Sequence, residues 1–523
     1  MIRKICQLLA FLFFVVLFLK TRYPFRDEIG ITVFVKFSPL LPLIDIVQNL
    51  GANLRYLIPA ILFLISAALF GRFFCSWICP LGTVIDCVSH PSKNDISSIK
   101  KAKLFSVLRK IPVFMLFFAI FSAAMKTSFW AFFDPLSISC RLFTVIFYPI
   151  VSFLGNLTLS NSKEIVFLRP IAEFVGKYWE KYLNPEGINF ISGYWDTIFL
   201  LGAILIFEVI ETRFWCRFIC PAGALLGNLA RLSPFGRVVD NTCVKCGKCA
   251  SDCPMGAIPI SLVEKTDPTL CTVCLECLEC CPGEVRAISM KRRTSEDMSS
   301  QGISRRQFMW SVFASIGALG LTGISPKNSS KTALNIRPPG AIPEDEFLEK
   351  CIKCMACVRM CKSNGGCLQP SPITNEVLEL WTPIAVLRTG YCEYNCNLCG
   401  KVCPTQAILP LPLDLKQKCA MGKASFDKNF CIPYSRSEDC LVCEEHCPLP
   451  KKAIQFRIEK VRTPEGIETV VKIPFVDKTI CIGCGICETK CPLHGRPGII
   501  VTNDGAIKLK NLADAEKKLQ DFQ

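Results

Sequence analysis

The chain has 523 residues, 51% of them hydrophobic, with 34 cysteines and a formal net charge of +16. That length allows three or four domains, and so many cysteines in so long a chain exclude a small disulfide-stapled scaffold. The basic balance is not a nucleic-acid signal. Six oxidised four-iron clusters would each contribute about −2, bringing the total to about +4, and much of the remaining positive charge flanks apolar segments.

Met1 to Lys20 begins with Arg3 and Lys4 and runs through a nearly pure apolar segment, Ile5 to Leu19. No small-residue cleavage site comes after it, so it reads as a membrane helix rather than a removed signal. Further spans are expected over Tyr56 to Phe74, Ile111 to Phe133, Tyr194 to Phe214 and Met309 to Ile324, each near the length that crosses hydrocarbon. The loop Thr83 to Lys110 concentrates Lys93, Lys100, Lys101, Lys103, Arg109 and Lys110, which places it in the cytoplasm. The chain then starts inside and ends outside. Ile138 to Leu157 is apolar too, but Pro149 and Gly155 interrupt it, and as a span it would put two matching cysteine motifs on opposite faces. The stretch Ile138 to Gly193 is therefore expected to lie on the outer surface as amphipathic helices.

Asp240 to Met290 reads as a compact cytoplasmic ferredoxin-like unit. Beyond it, Ser304-Arg305-Arg306-Gln-Phe-Met precedes a weakly hydrophobic run to Ser325, which resembles a twin-arginine export signal, an address for cargo that crosses already folded. An ordinary signal-anchor helix is the alternative, and both readings put the carboxy-terminal part of the chain outside. The fold class expected is an α-helical membrane domain of about five spans joined to small α+β bacterial-ferredoxin-like domains. Its parts are a four-helix membrane domain (1–238), a cytoplasmic two-cluster ferredoxin (239–292), the signal-like linker and fifth span (293–325), a tether (326–343) and a periplasmic four-cluster domain (344–523).

Repeated Cys-x2-Cys-x2-Cys-x3-Cys runs carry the chemistry, because this spacing wraps cubane iron–sulfur clusters. Cys243, Cys246, Cys249 and Cys253 form one set and Cys271, Cys274, Cys277 and Cys281 the next, both ending in Cys-Pro. In two-cluster ferredoxins the fourth cysteine of each run ligates the other cluster, so Cys253 is expected with Cys271, Cys274 and Cys277, and Cys281 with the first set. Cys280 is the spare. Zinc is the alternative metal, but its sites seldom use this spacing. Further on, Cys351, Cys354, Cys357 and Cys361 lack the proline, and Cys481, Cys484, Cys487 and Cys491 follow the pattern fully. Cys392, Cys396, Cys399 and Cys403 have one extra residue in the first gap. Cys440, Cys443 and Cys447 must borrow a distant ligand, Cys431 or its competitor Cys419. How these later sets exchange fourth ligands, nested or sequential, stays open. Cys6, Cys87, Cys140 and Cys367 read as structural or free thiols.

Cys75-Ser-Trp-Ile-Cys79-Pro-Leu-Gly and Cys216-Arg-Phe-Ile-Cys220-Pro-Ala-Gly each end a span. Spacing of i to i+4 puts the two thiols of a pair on one helix face. Two such pairs could meet as a four-thiolate site holding a seventh metal or cluster, or they are proline-broken helix ends with packing or labile thiols. Matching flanks, Gly71-Arg-Phe-Phe and Thr212-Arg-Phe-Trp, favour the built site. Glu208 and Asp134 are candidate catalytic groups, since ionisable residues at membrane depth are functional suspects, with pairing at the interface as the bland alternative for Glu208. No Cys-x-x-Cys-His occurs, and the three histidines, His90, His446 and His494, leave no pair for a membrane haem.

With these motifs, the first 290 residues resemble the NapH/MauN family of membrane ferredoxins and the related NosR type, and residues 300 to 500 resemble the NapG/MauM-type exported polyferredoxins. The chain thus resembles a NapH–NapG fusion. The resemblance implies a quinol dehydrogenase component of a respiratory chain, in the bacterial inner membrane, that passes electrons from the quinone pool through six 4Fe-4S clusters to a periplasmic reductase or cytochrome c. A cytosolic electron donor is a further expected partner; nucleic acid is not. About 30 Å of hydrocarbon separates cytoplasmic from exported clusters, so either quinol feeds the exported clusters directly near the outer face or a partner relays electrons. A NosR-like maturation or regulatory protein is the alternative function.

Overall fold

In the computed structural model, residues 2–23, 30–49, 54–89, 108–164, 169–182, 194–282, 287–294, 305–321, 335–372, 377–462 and 468–520 are described. They divide into two compact units. One comprises Met1–Leu19, Ile29–Ile146 and Trp195–Pro326, the other Lys20–Glu28, Phe147–Tyr194 and Lys327–Gln523.

The first unit is built of apolar helices that bury one side only. Along Ile2–Lys20, Phe14, Leu17 and Phe18 are buried while Ile5, Leu8, Leu12 and Val16 stay exposed. Phe14 meets Phe34 and Phe143 edge-on, with ring centroids 5.4 and 5.0 Å away, a favoured aromatic geometry. Ile58, Leu62 and Ile65 on Leu54–Phe70, and Phe199, Ile206 and Val209 on Tyr194–Ile210, are likewise exposed. The helix Arg305–Leu321, opened by the paired arginines, packs on Ile111–Ala124 through Phe308 against Phe117, 5.1 Å between centroids.

The described helices match the expected spans only in part. Of the five, Ile2–Lys20, with 19 residues, is the one that is long and apolar enough to cross a membrane among the described residues; Leu54–Phe70, Ile111–Ala124, Tyr194–Ile210 and Arg305–Leu321 have 17, 14, 17 and 17 described residues. Three of them stop where the backbone turns left-handed, at Gly71, Lys126 and Arg213 (φ +75, +57 and +52). Conversely, Pro135–Lys163, expected on the surface, is a helix of 29 residues apolar enough to cross a membrane. A π turn at Phe143–Phe147 lies immediately before Pro149, where the missing N–H and the bulky ring would disturb a regular helix. Lys93, Lys100, Lys101 and Lys103, on which the orientation rested, lie outside the described residues, as do Ser304 and residues 326–334 of the tether.

Each ferredoxin-like region is closed by strands at its two ends. Phe235–Val239 pairs antiparallel with Ile288–Arg292, enclosing Cys243 to Cys281. In the second unit, an antiparallel bridge of Ala341 with Ile408 encloses Cys351 to Cys403, and Lys423–Phe426 pairs with Ile499–Thr502 around Cys431 to Cys491. These last two regions carry inserted hairpins, Leu368–Pro370 with Pro383–Ala385 and Ile454–Arg462 with Glu468–Val476. Tyr148–Glu164 and Arg169–Tyr182 belong to the second unit and meet at Gly155, where a Cβ would lie 1.8 Å from the Trp179 ring. The glycine that interrupts the apolar pattern thus admits an indole; Trp179 Nε1 donates to Asn156 Oδ1 at 2.8 Å.

Candidate iron–sulfur and thiol sites

The four regular cysteine sets share a backbone signature. The residues on both sides of the middle cysteine are left-handed: Lys245 and Gly247, Val273 and Leu275, Lys353 and Met355, Gly483 and Gly485. Such φ values are uncommon for non-glycine residues and are a genuine outlier for β-branched Val273, so they persist only where the surroundings over-determine the loop. The loop curls its three cysteines to one side. The irregular sets at Cys392 and Cys431 lack this signature among the described positive-φ residues.

The cysteines face cavities in mixed sets. Cys253, Cys271, Cys274 and Cys277 line one, Cys243, Cys246, Cys249 and Cys281 a second, and Cys447, Cys481, Cys484 and Cys487 a third. Each contains the fourth cysteine of the neighbouring run. Elsewhere Cys357 interacts with Cys354, Cys403, Cys351 and Cys399, Cys399 with Cys392, Cys361 and Cys396, and Cys443 with Cys491, Cys440 and Cys431. In the second unit, Cys403 thus lies with the Cys351 run, Cys361 with the Cys392 run, Cys491 with the Cys440 run and Cys447 with the Cys481 run. Cys431 faces its set, whereas the Cys419 thiol points to Ile507 O at 3.9 Å. Cys280 Sγ turns to Cys277 O at 3.5 Å.

Runs of cysteines at these gaps lining one cavity have the donor set that wraps a cubane cluster. N–H donors aim at several sulfurs, from Ala257 to Cys253 (3.4 Å), Ala424 to Cys481 (3.5 Å), Gly498 to Cys491 (3.3 Å) and Arg237 Nη2 to Cys249 (3.3 Å). Such donors favour thiolate and tune a cluster's potential. Without metal the thiols hold their protons: burial raises Cys271 and Cys431 to about 12 and Cys392 to about 11. Lys416 lies beside Cys392, Cys396 and Cys399; burial lowers its pKa, but these thiols outweigh that and hold it above the usual value. Its ammonium donates to Glu393 O and Tyr394 O.

The two Cys-x3-Cys-Pro segments are structural duplicates. Cys79 and Cys220 both cap helices that start with proline, Pro80–Val88 and Pro221–Leu229. They pack reciprocally. Arg72, from the first flank, donates to Cys216 O at 2.6 Å and to Cys75 Sγ at 3.4 Å, while Arg213, from the second, donates to Ser76 Oγ at 2.5 Å. Gly223 admits the first guanidinium, since a Cβ there would sit 2.1 Å from Arg72 Nη2. All four thiols are buried, and Cys75, Cys216 and Cys220 interact with Arg72.

This thiol group is tied to one ferredoxin loop. Arg72 Nη1 donates to Thr269 O (3.3 Å), Ser76 Oγ to Thr272 Oγ1 (2.7 Å) and Trp77 Nε1 to Val273 O (3.0 Å). Arg213 also clamps Asp86 at 2.8 and 2.6 Å, and Asp86 takes Gln7 at 2.9 Å and Arg3 at 3.3 Å; Arg3 further pairs with Glu276. Sequence reading missed Arg72, Asp86, Arg237 and Lys416. The duplicated Arg-Phe before Cys75 and Cys216 was the one signal pointing to the first.

Glu208 and Asp134 are buried at 2% and 0% exposure. Glu208 accepts the N–H groups of Phe214 and Trp215 at 3.1 and 2.9 Å and interacts with Cys216. Asp134 caps Pro135–Leu142 through Ser137 N at 2.8 Å, accepts Ser38 Oγ at 2.6 Å and interacts with Cys220. Both carboxylates thus have structural bonds, and both flank the thiol group.

Comparison with known proteins accords with this arrangement. The 4Fe-4S binding domain family Fer4_5 matches residues 52–99 and 195–238, the regions of the paired segments. The methylamine utilization ferredoxin-type protein MauM of Methylophilus methylotrophus is 33% identical over 200 residues, 36% of this chain and 82% of that protein. The ferredoxin-type protein NapG of Escherichia coli K12 is 32% identical over 204 residues, 38% of this chain and 84% of that protein. The putative electron transport protein YccM of the same organism is 25% identical over 221 residues, 42% of this chain and 51% of that protein. No solved structure matches the chain. Its likeness to MauM and NapG extends over more than four-fifths of each, and the chain belongs to this family of ferredoxin-type iron–sulfur electron-transfer proteins.

Proposed function

We propose that the chain is a membrane-bound quinol dehydrogenase component that passes electrons through six 4Fe-4S clusters to a periplasmic reductase or cytochrome. In this reading the first unit is a NapH/MauN-type membrane ferredoxin joined to the NapG/MauM-type part, and the carboxy-terminal clusters lie outside the cytoplasmic membrane. The carrying observation is that Cys75, Cys216 and Cys220 lie around Arg72, with Cys79 beside Cys75 and Cys220, and that Arg72 is hydrogen-bonded directly to the carbonyl of Thr269. Exposed apolar faces on Ile2–Lys20, Leu54–Phe70 and Tyr194–Ile210 support the membrane setting.

Clusters, when bound, supply one-electron acceptors. The ligands proposed are Cys253, Cys271, Cys274 and Cys277; Cys243, Cys246, Cys249 and Cys281; Cys351, Cys354, Cys357 and Cys403; Cys392, Cys396, Cys399 and Cys361; Cys431, Cys440, Cys443 and Cys491; and Cys447, Cys481, Cys484 and Cys487. Arg72 and Arg213 fix the paired segments against each other and keep positive charge beside the buried thiols. Glu208 and Asp134 are the proposed acceptors of quinol protons, each beside one thiol of the second pair.

Anaerobic rapid mixing of the membrane-reconstituted chain with a menaquinol analogue tests the reading. Cluster bleaching within turnover time, lost in Cys75→Ser and Cys216→Ser, is the expected result. Fully loaded clusters that do not bleach would refute quinol oxidation by this chain.

A further inference from the structure

One cluster site in the second unit has five thiols. Cys367 is 2% exposed, and its Sγ lies 3.8 Å from Cys361 Sγ. The backbone builds this placement. Asn364 and Gly366 both donate N–H to Cys361 O at 2.9 Å, closing the loop on itself. Gly365 and Gly366 have φ of +92° and +70°, and a Cβ on Gly365 would meet Tyr391 O at 2.3 Å, so the turn requires glycine there. Tyr391 N donates to Gly365 O at 2.9 Å, one residue before Cys392. The double-glycine turn therefore presents Cys367 to the thiols that face Cys361: Cys392 and Cys399 interact with both.

Each iron of a four-cysteine cubane takes one thiolate. Two thiols in contact at one corner compete for it. We propose that Cys367 is an exchangeable alternative to Cys361 as the fourth ligand of the cluster held by Cys392, Cys396 and Cys399. In the exchange the iron–sulfur bond to Cys361 breaks, that to Cys367 forms, and the proton of the Cys367 thiol ends on Cys361. No electron moves. The two states differ in hydrogen bonding, because Leu368 N donates to Cys361 Sγ at 3.5 Å, and hydrogen bonds to sulfur help set the reduction potential. The inference rests on this site holding a cluster, which iron content and electron paramagnetic resonance of the unaltered chain test separately.

The experiment compares full-length Cys361→Ala, Cys367→Ala and the double variant, purified anaerobically, by iron and acid-labile sulfide content and a resonance-monitored redox titration. Both single variants are expected to keep the iron of the unaltered chain, with one reduction step displaced in Cys361→Ala. The double variant should lose about four irons per chain or show a three-iron signal. Loss of as much iron in Cys361→Ala as in the double variant overturns the proposal, as does a double variant that retains its iron. Should Cys361→Ala fail to assemble any cluster, alkylation of the unaltered holo chain mapped by mass spectrometry decides. Labelling divided between Cys361 and Cys367 supports exchange; labelling of Cys367 alone, or a Cys361–Cys367 disulfide, overturns it.

Discussion

The ferredoxin-like region of the first unit and those of the second each hold a regular cysteine set with left-handed loop residues and a closing antiparallel contact, yet they are covered differently. In the first, Arg72, Ser76 and Trp77 from an apolar helix end hold the Thr269–Val273 loop, while Cys246 at the other site is exposed. In the second, Cys351, Cys354 and Cys357 are all buried, and inserted hairpins replace the helix ends. The same ligand spacing thus serves two settings. What packs on the loop decides whether a site is joined to a neighbouring thiol group or insulated within its own domain.

The largest effect that would sharpen this contrast comes from removing one ligand in each region. Cys274→Ala and Cys484→Ala should each lose about four irons per chain, but Cys274→Ala should also lower the unfolding temperature of the helical unit, which calorimetry in detergent would register. Equal effects of both variants on that transition would break the comparison. Acid should weaken loading strongly. Burial holds Cys271 and Cys431 near 12, so these thiols are protonated in the metal-free fold at neutral pH and must release protons to bind iron. Anaerobic reconstitution between about pH 6.5 and 8.5 should therefore strengthen with pH, by up to about tenfold per unit for each proton released. The metal-free fold has the opposite sign: its raised thiol pKa values contribute stability below about 8.5, the usual thiol value. That stability is lost as pH rises toward the folded-state value of about 12.

Glu208→Gln keeps an oxygen for one of the two N–H groups, of Phe214 and Trp215, and loses the other bond, so the fold should persist with a stability loss of about 1–3 kcal/mol while quinol-driven cluster reduction slows by about 10²-fold. An unchanged rate would remove Glu208 from the proton path. Gly223→Val forces a side chain onto Arg72 and should cost about 1–3 kcal/mol in denaturant unfolding. Gly247→Ala, where a Cβ meets open space at φ +76°, should cost only about 1–2 kcal/mol, through backbone strain. The smallest expected change is in Lys416→Met. Loss of the ammonium beside Cys392, Cys396 and Cys399 should lower that cluster's midpoint potential by on the order of 50–100 mV, read by redox titration.

The grouping of the cysteines was largely legible in the sequence, because short fixed gaps keep a run together whatever the fold. That Cys253 lines a cavity with the Cys271 run and Cys281 one with the Cys243 run was expected from the same spacing rule. The paired Cys-x3-Cys-Pro segments were legible as a duplication, but their reciprocal packing was not, because it depends on Arg72 and Arg213 reaching across from different helices. Apolar composition overstated the span lengths: Gly71, Lys126 and Arg213 end helices by backbone conformation, which hydropathy does not register. The π turn that carries Pro135–Lys163 past Pro149 was hidden for the same reason.

Local spacing, then, determined by itself that this chain carries cluster-type cysteine sets, since three cysteines within seven residues can reach one cluster whatever surrounds them. Tertiary structure alone brought Cys403 beside the Cys351 run and Cys361 beside the Cys392 run, turned the Cys419 thiol toward Ile507 O, and set Cys367 against Cys361. Those choices turn on contacts between residues far apart in sequence or folded back by a glycine turn, and only closure of the end strands and packing of the helices brings such groups together.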